Sequence, residues 1–476
     1  MARFDCIVRG GDVVLPGGSA RVDLGLRGGR IAAIAEEIPA ADADEAVDAR
    51  GLVVLPGAVD PHFHLGIYRN MREDTVSETL SSLVGGVTSV VTYFRTGHHY
   101  LDRSGPYEEV FPEALAAVAG ASRVDFAFHL APMLREHVRE IPALVARHGV
   151  TSFKYYMFYK GMDLAGASRD AAAYTLSDVY DLGHLYEIME AAAAADAATP
   201  GARVSVSIHA EQPELIRLFM ERVQADGVLT GLEAYSAGRP PLTERLAIAE
   251  AGVLAEATGA PIQFLHLSSG DALEAALDVR RALPGRDVRL ETTLHHLALS
   301  YESYNDQRGK VNPPIRSEAD RERLWQGILR GELDWVCSDH ACCSETHKEG
   351  ELWKALPGFG GTALLYPYML TEGLRRGLPL ERIAALCAGN AARAYGLAPR
   401  KGAIAVGADA DLALVDLETR RTVTPALLAS AQEYTPFEGI ELAGWPVRTM
   451  LRGRLVFDRG EPVGEPAGEY LARPLA

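Results

Sequence analysis

Cysteine is scarce in this chain: Cys6, Cys337, Cys342, Cys343 and Cys387 are the only five among 476 residues, an odd number without a CxxC pair. A disulfide framework is thereby excluded as the basis of the fold, and reduced thiols in a reducing compartment are expected. Basic charge is also short, with 47 lysines and arginines against 64 acidic residues and a formal net charge of -17. A surface of that sign repels phosphate backbones and anionic lipid, so neither nucleic acid nor membrane is an expected partner. No segment runs to the roughly eighteen uninterrupted apolar residues that a membrane helix needs. Met1 to Asp12 lack a basic stretch followed by a long apolar one, so no secretory leader is expected and the cytoplasm is the expected location.

What is present is ordinary globular material, 48% hydrophobic and 23% charged, with 46 glycines and 26 prolines, enough to bury a large core. A length of 476 residues suits one barrel-sized domain plus a smaller one. Phe4 to Val54 reads as short β segments (DCIVRGGDVVL, VDLGLRGGRIAAI, GLVVLPG) between glycine-rich turns, and the same texture returns in KGAIAVGADADLALVDL and WPVRTMLRGRLVFDRG. The two ends, residues 1–54 plus 397–460, are therefore expected to pair into one β-sandwich, with residues 55–396 inserted between them.

In that inserted region apolar runs of strand length alternate with alanine- and leucine-rich helical stretches. Eight candidate strands are VVLPGAVDPHFH, VTSVVTYF, VDFAFHLA, VTSFKYYMF, VSVSIHAE, PIQFLHLSS, VRLETTLHH and WVCSDHA. This is an α/β pattern, and the expected fold is a TIM-type (β/α)8 barrel closed on a parallel sheet. The tract EAAAAADAA, Glu190 to Ala198, reads as a barrel helix ended by Thr199-Pro200-Gly201. Residues 461–476, rich in Pro, Gly and Glu, show no core face and are expected to be loose or to lie on a neighbouring subunit.

Chemistry-bearing residues collect at the carboxyl ends of these strands, where barrel enzymes build their active sites. In Asp60-Pro61-His62-Phe63-His64 the histidines are two residues apart, so on a strand both point to one face and can reach one metal. Lys154 in SFKYYMFY, His209 in SIHAE, His266 in FLHLSS and Asp339 in CSDHA follow on later strands. Singly they have plainer readings: a snorkelling lysine, core histidines, a helix-capping aspartate. Jointly those readings do not explain why all six sit at strand ends. A lysine ammonium offers no lone pair. Carboxylation by carbon dioxide would turn it into an anionic carbamate able to bridge two cations, and the apolar, aromatic strand around Lys154 favours the neutral amine that this reaction needs.

In order and approximate spacing, His62, His64, Lys154, His209, His266 and Asp339 resemble the metal ligands of the cyclic amidohydrolases. This branch of the amidohydrolase superfamily includes the dihydropyrimidinases, hydantoinases, allantoinases and dihydroorotases. The likeness covers nearly the whole chain, including LPGAVDPHFH and GNAARAYGL. It implies that His62, His64 and Asp339 hold one divalent metal, that His209 and His266 hold a second, and that carbamylated Lys154 bridges them. Zinc is the first choice, and manganese, cobalt, nickel or iron also suit the mixed imidazole and oxygen ligands. The resemblance further implies a shared water as nucleophile and Asp339 as the base that moves its proton to the leaving nitrogen. Tyr159, five residues beyond Lys154, matches a tyrosine that stabilises the developing oxyanion, with Tyr155 and Tyr156 competing for the assignment. Asn312 in KVNPPIR and Gly358 in LPGFGG match positions that bind the substrate's amide groups, Gly358 standing where hydantoinases resemble one another in having Asn.

The markers of substrate conflict. Where dihydroorotases carry an arginine after the HxH pair this chain has Gly66, and Arg69 comes too late for simple equivalence. ETTLHHLAL and KVNPPIR nevertheless resemble dihydroorotases and allantoinases more than hydantoinases. The first choice is ring opening of a neutral five- or six-membered ureide or imide of the hydantoinase or dihydropyrimidinase type, then allantoin, then dihydroorotate. A metal-free scaffold protein of the same fold is the reading from another class, and retention of all six ligand positions argues against it. Cys342 and Cys343 are assigned no role. The resemblance implies a homotetramer acting on a small-molecule cyclic amide.

Overall fold

The computed structural model describes residues 3–159 and 180–475. The amino end forms β1 (Phe4–Leu15), β2 (Gly18–Arg27), β3 (Arg30–Ala35), β4 (Ala43–Asp48) and β5 (Val53–Pro56). The tight turn from β2 to β3 needs positive φ at two successive residues, and Gly28 (+57°) and Gly29 (+79°) supply it without a side-chain clash.

The chain then enters a parallel sheet of β6 (Ala58–His64), β7 (Val87–Phe94), β8 (Asp125–Leu130), β9 (Ser152–Tyr156) and β10 (Ser205–His209). It continues through β11 (Ile262–Phe264), β12 (Val288–Thr293), β13 (Trp335–Cys337) and β14 (His340–Ala341). These strands coincide with the eight segments read from the pattern, β13 and β14 being two pieces of one of them. The split closes the sheet on itself: β13 pairs with β12 (Glu291 opposite Trp335), whereas β14 pairs with β6 (His340 opposite Phe63). The break falls at Ser338-Asp339, so the interruption of the eighth strand lifts Asp339 out of the ladder at the barrel's carboxyl end. Every residue of these strands is buried, as expected for a parallel sheet covered by helices. Among the covering helices is Leu182–Ala198, which contains the alanine tract and is started by the Asp181 carboxylate accepting from the N–H groups of Gly183 and His184. The fold is a TIM-type (β/α)8 barrel.

After the barrel come β15 (Leu412–Asp416), β16 (Arg421–Thr422), β17 (Glu441–Leu442), β18 (Trp445–Leu451), β19 (Arg454–Asp458) and β20 (Glu461–Pro462). β15 runs antiparallel to β5, Leu412 opposite Pro56, so the two chain ends share one nine-stranded sheet ordered β20-β19-β18-β15-β5-β1-β2-β3 with β4 beside β1. Its apolar core includes Val8, Leu24, Ile31, Val54, Leu412 and Met450. Lys401, wholly buried, is held by Asp125 (2.5 Å), Asp411 (2.7 Å) and Asp409 (2.9 Å) and so ties the barrel strand β8 to the segment leading into β15.

The closing residues, expected to be loose or to lie on a neighbouring subunit, run along this chain's own barrel. Leu471 donates its N–H to the Phe126 carbonyl (2.7 Å), Glu469 accepts from the Phe126 N–H (2.9 Å), and buried Arg473 donates to Ser152 Oγ (2.9 Å). Composition hid this because backbone groups and one arginine make these hydrogen bonds and only isolated apolar side chains, Tyr470 on Phe126 and Leu471 beside Val59 and Val91, join them.

Candidate metal centre and active site

β6 presents His62 and His64 to the same face, two residues apart on a pleated strand. Asp339, at the break between β13 and β14, brings Oδ1 to 3.0 Å from His62 Nε2 and 3.3 Å from His64 Nε2. Lys154 on β9 places Nζ 3.4 Å from His62 Nε2. On the adjoining strands His209 Nδ1 stands 2.8 Å from His266 Nε2, and the rings of His266 and His62 are 5.3 Å apart, so the two histidine pairs adjoin. All six residues are buried, none more than 8% exposed. The structure thus brings together the six residues named from the pattern. Two of them, His266 (φ +36°) and Asp339 (φ +49°), hold backbone conformations that non-glycine residues seldom adopt, a strain that collects at functional sites.

Three of the four imidazoles, those of His62, His64 and His209, have the outward nitrogen fixed by a partner. Glu291 on β12 accepts from His62 Nδ1 (2.7 Å), and Tyr100 Oη lies 2.9 Å from His64 Nδ1. Glu211 accepts from His209 Nε2 (2.6 Å) and is itself held by Arg239. Ser338, just before Asp339, is fastened to the Asp60 carboxylate through its N–H (3.1 Å) and hydroxyl (2.5 Å). These partners set tautomers, so that His62 Nε2 and His209 Nδ1 carry lone pairs aimed at the centre.

The donor set fits metal ions on its own evidence. His62 faces a carboxylate oxygen at both nitrogens, and with Nδ1 donating to Glu291 its Nε2 lone pair would meet Asp339 Oδ1 at 3.0 Å with only repulsion unless a cation or proton lies between. His266 Nε2 stands 2.8 Å from His209 Nδ1, and His266 Nδ1 has no hydrogen-bond partner among the described residues, a buried ring nitrogen left with an open lone pair or proton. Burial pushes His64 and His209 down to about 4 and His266 well below the usual histidine range, which keeps these three imidazoles neutral and able to ligate, whereas His62, between Asp339 and Glu291, is shifted upward despite its burial. Burial also lowers the Lys154 ammonium to about 8, an effect partly offset by Asp339 and Glu291. His62, His64 and Asp339 form one ligand group, and the buried cluster as a whole is compatible with a binuclear site.

The other expected residues sort themselves by strand geometry. Lys154 and Tyr156 share the inward face of β9, and the Lys154 ammonium lies 4.0 Å from the Tyr93 ring centre and 4.7 Å from that of Tyr156. Tyr155 points the other way, stacking on Tyr180 and donating to the Asp181 carbonyl (2.7 Å). Tyr159 lies beside the site, its ring 4.7 Å from that of Tyr156 and 5.7 Å from the Arg95 guanidinium. Asn312 accepts from the Tyr235 hydroxyl at 2.6 Å. Gly358 has φ +106° and donates its N–H to the Lys310 carbonyl at 2.9 Å; a Cβ there would lie 3.1 Å from that of Ala341. Arg69 is engaged with Asp74 (3.1 Å) and Ser77 (3.2 Å). Cys342 and Cys343 are buried.

Glu291, Glu211 and Tyr100 were missed in the sequence. Glu211 had a readable signal, standing two residues after His209 and thus on the same side. Glu291 and Tyr100 had none, since their partners lie on other barrel strands.

A closed parallel barrel with imidazoles, a carboxylate and a lysine at its carboxyl end defines a class, the barrel hydrolases whose sites accommodate paired metal ions. The model of the Amidohydrolase family matches residues 53–456. The chain is 34% identical over 475 residues to an allantoinase of Rubrobacter xylanophilus, covering 99% of this chain and 98% of that one. It is 29% identical to a D-hydantoinase of Ralstonia pickettii, covering 99% of each. The solved L-hydantoinase (dihydropyrimidinase) from Arthrobacter aurescens superposes with a TM-score of 0.85 at 28% identity, covering 98% of this chain and 99% of that one. The chain belongs to the amidohydrolase family, in its cyclic amidohydrolase branch, whose members act on C–N bonds other than peptide bonds.

Proposed function

We propose that this enzyme opens the ring of a neutral cyclic ureide at a binuclear metal centre, with allantoin the first substrate to test and hydantoin and dihydrouracil next. The observation that carries the reading is the convergence of six buried side chains whose nitrogens and oxygens stand 2.8 to 3.4 Å from one another. Allantoin comes first because the allantoinase of Rubrobacter xylanophilus and two others are 33–34% identical to this chain and the hydantoinases 29%. The ETTLHH and KVNPPIR segments lean the same way. Dihydroorotate is disfavoured because Arg69 is occupied by Asp74 and Ser77.

His62, His64 and Asp339 would hold one metal, His209 and His266 the other, and Lys154, carboxylated on Nζ with release of a proton, would bridge them; zinc is the first choice. The metal pair, when bound, supplies Lewis acidity that brings a shared water towards ionisation at neutral pH. Asp339, anchored through Ser338 and Asp60, takes the water's proton and returns it to the ring nitrogen as the C–N bond breaks. Water oxygen ends on the carbonyl carbon, and the product is an open-chain acid. Tyr159 donates a hydrogen bond to the carbonyl oxygen as charge develops on it. Asn312 and the Gly358 backbone bind the ring's amide groups.

The same proposal includes the division into residues 1–54 plus 397–460, 55–396 and 461–476, a homotetramer, and a cytoplasmic location. Among the described residues no helix is long and apolar enough to cross a membrane, and the five buried cysteines are free, which suits a reducing compartment. Metal-loaded protein assayed against allantoin, hydantoin, dihydrouracil, dihydroorotate and a cyclic imide tests the activity. Turnover of a ureide is expected; a metal-replete protein that opens none of the five would overturn the proposal.

A further inference from the structure

Two buried lysines take no part in the mechanism above, yet they knit together the segments that carry Asn312 and Gly358. Lys310 is 3% exposed and Lys348 1%. Lys348 Nζ donates to the carbonyls of Lys310 (2.9 Å) and Leu356 (2.8 Å), whereas Lys310 Nζ donates to those of Leu352 (2.8 Å) and Trp353 (3.1 Å). The Lys310 carbonyl accepts the Gly358 N–H as well, and Gln307 Nε2 donates to the Lys348 carbonyl (2.6 Å). Residues 307–312 and 348–358 are thus crossed by hydrogen bonds running both ways, with Asn312 at one end and Gly358 at the other.

An ammonium buried on carbonyl dipoles, with no carboxylate in ion-pair reach among the described residues, is costly. Burial pushes Lys310 down to about 7, helped by Lys348 and Arg239, and Lys348 down to about 8. The Lys310 ammonium also lies 4.7 Å from the Tyr235 ring centre, a cation–π contact that holds the ring whose hydroxyl donates to Asn312 Oδ1. With Oδ1 turned to Tyr235, the amide presents its NH2 on the opposite side.

We propose that Lys310, Lys348 and Tyr235 are positioning residues for ring recognition: the lysines set the separation between Asn312 and the Gly358 segment, and Tyr235 turns the Asn312 amide to offer donors to a ring carbonyl. This rests on the reading of Asn312 and Gly358 as the edge that binds substrate. The test is steady-state kinetics on metal-replete Lys348→Met, Lys310→Met, Tyr235→Phe, Lys348→Arg and Asn312→Ala, using whichever of allantoin, hydantoin and dihydrouracil turns over fastest. Lys348→Met and Tyr235→Phe are expected to raise KM roughly ten-fold, keep kcat within about two-fold and retain their metal, while Lys348→Arg recovers part of the loss. Preference between five- and six-membered rings should narrow in the same variants. Wild-type KM in both Lys348→Met and Tyr235→Phe overturns the inference, as does a fall in kcat that merely follows metal loss. If Asn312→Ala raises KM and the positioning variants do not, the inference alone fails; if Asn312→Ala leaves KM unchanged, the substrate edge itself is misassigned. Tyr235→Phe removes a single oxygen and decides the matter if a lysine variant does not fold.

Discussion

Replacing Glu291 with glutamine strikes the site without touching a ligand. The carboxylate is fully buried and its two oxygens receive four hydrogens: Oε1 from His62 Nδ1 (2.7 Å) and the His266 N–H (3.3 Å), Oε2 from Gln263 Nε2 (2.9 Å) and Trp335 Nε1 (2.8 Å). An amide in the same volume converts one oxygen into an NH2 group, so whichever way it turns, two donors face a donor. The negative charge that holds His62 protonated at Nδ1 and leaves Nε2 bare is lost too. Hydrogen bonds to charged groups contribute about 1.5–3 kcal/mol each, and outer partners of metal-binding histidines are typically worth about 10- to 100-fold in affinity or activity. Ten- to 100-fold corresponds to about 1.4–2.8 kcal/mol, so weakening of that order at the His62 position is the expectation. Zinc competition against a chelator of known affinity reads it directly, and part of the activity should return in excess metal. Wild-type zinc affinity together with wild-type kcat/KM in Glu291→Gln would refute the view that this carboxylate orients His62.

Asp339→Asn should keep metal at least in part while turnover falls by about 10³-fold or more, since the proton-carrying oxygen is gone; near-normal kcat in a metal-replete variant removes Asp339 from the chemistry. The two buried lysines give a pH signature. With Lys310 held at about 7 and Lys348 at about 8, below the ordinary 10.5, the unfolded chain binds more protons between those values and 10.5, so their burial destabilises the fold at pH 7 and the penalty fades as pH rises. Urea midpoints at pH 7 and pH 10 should therefore show a rise that Lys310→Met reduces by on the order of 2 kcal/mol; an equal pH dependence in both proteins contradicts it. Arg473→Ala, which strips the donors to Ser152 Oγ and the Phe128 carbonyl, should lower stability by about 2 kcal/mol in denaturant titration with metal content unchanged. No loss would mean that the closing segment contributes nothing to the barrel floor.

Periodicity carried the barrel because apolar runs of strand length alternate with helical stretches, and the small sheet because its turns need glycine. The six site residues were readable because His62 and His64 lie two apart on one strand and the others stand at strand ends. What holds those residues was not. Glu291 contacts a histidine 229 positions earlier and reads locally as one more polar residue on a strand. Lys310 and Lys348 act through loop carbonyls that follow no repeat, and the eighth strand's division at Ser338-Asp339 depends on closure with β6, which only the assembled sheet imposes.

Counting metal ions per chain tests the central claim most directly. Mass-spectrometric metal analysis of the purified, metal-loaded protein should find two per chain in the wild type, and no more than one in Lys154→Ala, whose bridge is missing. A wild type that retains none, or a Lys154→Ala variant that still holds two, would contradict the account.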